Sequence, residues 1–118
     1  MKLATVICLA LSCVVANAEP TDIDDPDTLT YLRAVHETLG KASREITACA
    51  EGGGDRRECL CKHEGLVLEF HAAVNALLKA HPEVRAYSTV NFRDTNGGTI
   101  AQNIPALIRQ AETPPECP

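Results

Sequence analysis

The chain has 118 residues, with 11 basic against 16 acidic side chains and a formal net charge of −5. A net negative chain without a basic cluster argues against nucleic acid or an anionic membrane surface as a partner. Two Tyr, two Phe and no Trp mean that any core is aliphatic, and the length suits one domain, not two independent cores.

Met1 to Ala18 carries the pattern of an export signal. One basic residue, Lys2, precedes an uncharged apolar run from Leu3 to Ala16, and Ala16-Asn17-Ala18 supplies the small residues that signal peptidase accepts. The run is short for a membrane helix and no second one follows, so no membrane span is expected. A lipoprotein cut before Cys13 fits less well, because it would leave apolar Val14-Val15-Ala16 on the mature chain. Cys8 and Cys13 leave with the leader. The expected product is a single secreted domain, residues 19–118, of charge −6 once Lys2 is gone, in an extracellular or periplasmic space.

Asp22, Asp24, Asp25 and Asp27 crowd the start of that domain. The stretch lacks the turn glycine and closing glutamate of an EF-hand, so a solvated acidic arm is expected in place of a calcium loop. The first helix begins at Asp25, its cap, with Pro26 at the first helical position, where a missing N–H costs nothing. Leu32, Val35, Leu39, Ala42, Ile46 and Cys49 recur at spacings of three and four, the pattern of one apolar stripe. Gly52-Gly53-Gly54 ends it.

Asp55 with Glu58 reads as a capping box opening a second helix that runs to about Ala80, before His81-Pro82. Its main stripe is Leu60, His63, Val67, Phe70, Val74 and Leu77. A second face of Cys61, Gly65, Leu68, Ala72 and Ala76 predicts a central helix covered on both sides. His63 falls in the stripe as a core histidine, His71 lies at its edge, and His36 and His81 are boundary or exposed positions. Alternation through residues 84–92 permits a short strand, with Asn96-Gly97-Gly98 as a turn, so residues 84–98 form either a short β-hairpin or an irregular loop. The last helix carries Ile104, Leu107, Ile108 and Ala111 and starts at Asn103, which keeps Pro105 in the first turn. The tail Thr113-Pro114-Pro115-Glu116 brings Cys117 back to the body.

Four cysteines allow three pairings. Cys59 and Cys61, two apart near a helix start, point about 200° away from each other. Cys59 faces the first helix, where Cys49 lies, and Cys61 faces the other side. The expected bonds are Cys49–Cys59 and Cys61–Cys117. A redox role for Cys59-Leu60-Cys61 lacks a strand-then-helix setting, and Cys59, Cys61, His63 and His71 on one helix splay around its axis instead of converging on a metal. No metal and no cofactor is expected. No nucleophile elbow, His-Glu-x-x-His motif or phosphate loop occurs, so no enzyme activity is expected.

These readings predict an all-α fold: a disulfide-linked helical hairpin and a shorter C-terminal helix. The expected function is non-enzymatic binding of another protein, as an inhibitor, immunity factor or accessory subunit. Tyr87, Phe92 and Arg93 are the candidate anchors, because aromatics and arginine on a loop are the usual hot-spot residues. The alternative is a carrier of a small apolar ligand between the first two helices near Phe70, although the scarcity of aromatics gives little sign of a roomy cavity.

Overall fold

The computed structural model describes residues 19–118; the leader expected over residues 1–18 lies outside them. The described chain is mostly helical, with a small sheet and two disulfides. The first long element, α1 (Pro26–Glu51), is capped as its sequence dictates: the Asp25 carboxylate accepts from the Thr28 N–H at 3.0 Å and the Thr28 hydroxyl at 2.8 Å. These hydrogen bonds, the backbone one foremost, hold the Asp25 carboxyl below its ordinary pKa. Gly53, at φ +100°, turns the chain out of the helix in a conformation that favours glycine.

The single second helix expected from Asp55 to Ala80 is in fact two. Asp55 accepts from the Glu58 N–H at 2.8 Å and starts α2 (Arg56–Lys62), and α3 (Glu64–Ala80) follows after a break at His63. Disulfides hold both Cys59 and Cys61 of α2, so its axis is set by its two partners. The break falls just beyond them, beside Gly65, where helix propensity is lowest. His63 is therefore a half-buried junction residue, not a core histidine. The two-sided cover expected for this helix is also absent: Val67, Phe70, His71, Val74, Leu77 and Leu78 are buried, while Gly65, Ala72 and Ala76 are exposed and Leu68 is 46% exposed.

A 3-10 turn (Pro82–Ala86) buries Val84 and leads into the sheet. Residues 84–98 accordingly divide: the first part is the turn, and strands follow at β2 (Thr89–Arg93) and β3 (Thr99–Asn103). These pair antiparallel, with Val90 opposite Gln102 and Phe92 opposite Ile100. The connecting turn closes through Asp94 N–H to the Gly98 carbonyl at 2.8 Å. The acidic arm is not free either. Thr21–Asp22 forms β1, parallel to β2, and the Ile23 N–H donates to the Asn91 carbonyl at 2.9 Å. The sheet order is β1-β2-β3, and the all-α expectation is corrected to helices plus a small sheet.

The last helix, α4 (Ile104–Glu112), starts on Asn103, whose side chain accepts from the Ala106 N–H at 2.9 Å, with Pro105 in the first turn. One apolar cluster joins Leu32 and Val35 of α1, Phe70, Val74 and Leu77 of α3, Val84, Val90 and Phe92, and Ile104 and Leu107 of α4. Burying each such side chain is worth about 1.5–3 kcal/mol. Among the described residues no helix is long and apolar enough to cross a membrane.

Candidate functional site

The core cluster fills only one end of the α1/α3 pair. Toward the C-terminal half of α1 the helices diverge around a groove of about 650 Å³. Leu39, Ala42, Ser43 and Ile46 of α1 form one wall, and Val67, Phe70 and His71 of α3 form another. Leu60, Arg56 and Arg57 come from α2, Arg109 and Gln110 from α4, and residues 113–116 complete the lining as an extended strap. Leu39, which packs against the core cluster, and Ile46 and Leu60 are only half-buried, so part of their aliphatic surface remains uncovered at the groove.

Two covalent bonds shape this end. Cys49–Cys59 ties α2 to the end of α1, and Cys61–Cys117 ties the strap to α2. Gly54 lies against the first of these bonds: a Cβ there would sit 2.7 Å from the Cys59 sulfur and 3.0 Å from the Cys49 sulfur. The strap is also held by the Arg57 Nε–H, which donates to the Glu116 carbonyl at 3.3 Å. With the four sulfurs bonded in pairs, Cys59 and Cys61 have no thiolate to offer beside His63 and His71. Among the described residues no group of three metal-ligating side chains comes together.

His71 is the polar group that sequence reasoning undervalued. Expected at the edge of a stripe, it is 8% exposed, lines the groove and packs beside Phe70 with ring centres 5.8 Å apart. Its ring carries a donor and an acceptor, and since no buried side-chain nitrogen among the described residues lacks a partner, these nitrogens remain open to solvent. Its position next to Phe70 on the inward face was the signal available in the sequence. The expectation of little cavity is corrected too: the space is lined mainly by aliphatic side chains, with Phe70 its one phenylalanine.

No known family, characterised protein or solved structure matches this chain. Chemistry must therefore be read from its own residues.

The candidate anchors fare unequally. Phe92 is 3% exposed and belongs to the core, because β2 alternation turns it inward with Val90; it cannot serve as a surface contact. Tyr87 is half-buried against the same cluster. Arg93 is exposed at the end of β2, and its backbone carbonyl accepts from Arg33 Nε–H at 2.8 Å. The three do not form one exposed patch.

At the opposite end from the groove, His81 joins the two ends of the hairpin. Its Nε2 lies 2.6 Å from Asp27 Oδ2, and its Nδ1 lies 3.1 Å from Glu83 Oε1 and 3.3 Å from the Thr28 hydroxyl. The bond to Asp27 raises its pKa above the ordinary histidine value; Glu83 adds to this, while burial works against it. This residue was expected at a boundary, yet the antiparallel hairpin places residue 81 beside residue 27 as a matter of topology.

Proposed function

We propose that the protein is an exported, non-enzymatic binding protein that carries a small apolar ligand in the groove between α1, α2, α3 and α4. The observation that supports this is the pairing of volume with lining. About 650 Å³ lies within the range of small-molecule sites, about 300–1,000 Å³, and half-covered Leu39, Ile46 and Leu60 offer apolar surface that a ligand would remove from water. The disulfides suit an oxidising compartment, in keeping with the leader pattern. Titration with N-phenyl-1-naphthylamine tests the reading. A saturable fluorescence rise at one equivalent is expected, together with its loss in the groove-filling variant Ile46→Trp at unchanged thermal stability. No uptake by the wild-type protein, or equal uptake by the filled variant, overturns it.

A second reading, binding to another protein, moves from the Tyr87–Arg93 segment to the outer face of α3, where Leu68 stands 46% exposed. Cross-linking in the fluid that receives the protein, with Leu68→Asp as the control, decides it. A specific adduct lost in the variant supports it, and an adduct indifferent to Leu68 removes that face.

A further inference from the structure

Resting on that carrier reading, we propose that the ligand is an aliphatic chain ending in a single carboxylate. The groove combines two features that an apolar ligand alone would not use. Three arginines, Arg56, Arg57 and Arg109, line it against one carboxylate, Glu116, in a chain whose net charge is −5. Among the described residues none of these three guanidinium groups has a carboxylate within ion-pair distance. A local excess of unpaired positive charge in an acidic protein selects an anion, and guanidinium groups match carboxylate oxygens in geometry.

The second feature is His71. Its side chain is mostly covered, at 8% exposure, yet no buried side-chain nitrogen among the described residues lacks a partner, so its ring nitrogens stay open to solvent in the lining beside Phe70. An accessible ring N–H at the edge of an apolar groove is a donor to which a ligand oxygen would bind. Leu39, Ile46, Leu60, Val67 and Phe70 then take the hydrocarbon.

The test compares dodecanoate, dodecanol, dodecylamine and dodecyl phosphate by isothermal titration, each below its micelle concentration. Dodecanoate is expected to bind about tenfold more tightly than dodecanol, a difference of about 1.4 kcal/mol. In Arg56→Gln/Arg109→Gln, which leaves the Arg57 contact to the strap intact, that preference should fall below about threefold, dodecanoate losing more affinity than dodecanol. His71→Phe should weaken dodecanoate more than dodecanol. Equal or tighter binding of dodecanol or dodecylamine overturns the anionic head and leaves the carrier reading standing. Tighter binding of dodecyl phosphate overturns the carboxylate. Failure of all four to bind, with both disulfides intact by mass, sinks the carrier reading as well.

Discussion

Where α1 and α3 meet the sheet, Leu32, Val35, Val74 and Leu77 pack against Val84, Val90 and Ile104 at 1% exposure or less. At the other end of the same two helices, Leu39, Ile46 and Leu60 stand half-covered around a groove. Both disulfides lie at this second end and none at the first. The packed end is held by apolar burial and by the His81 bonds to Asp27 and Glu83. The hollow end gives up that burial and is held covalently. A domain of this size has little stability to spare, so an unfilled space between helices requires another constraint around it.

Removing the covalent constraint has the largest expected effect. Cys61→Ala/Cys117→Ala opens a loop of 56 residues and Cys49→Ala/Cys59→Ala one of 10. Chain entropy assigns these losses of about 4 and about 3 kcal/mol, to be measured by urea unfolding. The long-loop variant should also lose the uptake of apolar probe, because the strap is part of the groove wall.

The packing side of the comparison is sharpened by truncating one leucine at each end. Leu77→Ala, at a fully buried site, should cost about 2–5 kcal/mol. Leu60→Ala, half-covered at the groove, should cost about 1 kcal/mol and weaken probe binding instead. Equal losses in denaturant unfolding would mean that the two ends are packed alike.

Gly54→Ala probes the hollow end more gently. Its Cβ would meet both sulfurs of the Cys49–Cys59 bond, and relief of that overlap should cost about 1–3 kcal/mol or leave the bond incompletely formed, which the mass of the protein reports.

The smallest effect belongs to the packed end. The folded pKa of His81 is raised, so its bonds to Asp27 and Glu83 contribute fully below the ordinary histidine value of about 6.5 and are lost as pH rises through the folded value. Melting temperature should therefore fall as pH rises across that window, by less than in any variant above. In His81→Gln this part of the pH dependence should vanish.

Much of the helical frame is written locally. Asp25-Pro26 opens α1 and Asn103 opens α4 because capping is decided within a single turn. The opposed directions of Cys59 and Cys61 lead to the same two bonds that the structure forms. What escaped the sequence was decided at a distance. Thr21 pairs with Val90, 69 residues away, and two residues, Thr21 and Asp22, carry no strand signal of their own. The break at His63 follows from two tethers pulling on α2, which periodicity cannot register.

The groove was hidden for a related reason. Leu39 and Ile46 continue the stripe of Leu32 and Val35 without interruption, and a stripe says only that a face is apolar. Whether that face meets a neighbour or lines a space depends on how far apart the helices are held. Phe92 went astray differently: the alternation that turns it inward was visible, but its aromatic character suggested a contact surface.

The shortest helix carries a consequence for motion. Seven residues fall well below the length at which a helix persists in water, so α2 owes its order to its tethers at Cys59 and Cys61. Its amide hydrogens will exchange with solvent through local opening, far faster than those of α3, and a ligand bound as proposed would slow them where it packs beside Leu60. Exchange along α2 would then read out whether the groove holds a ligand.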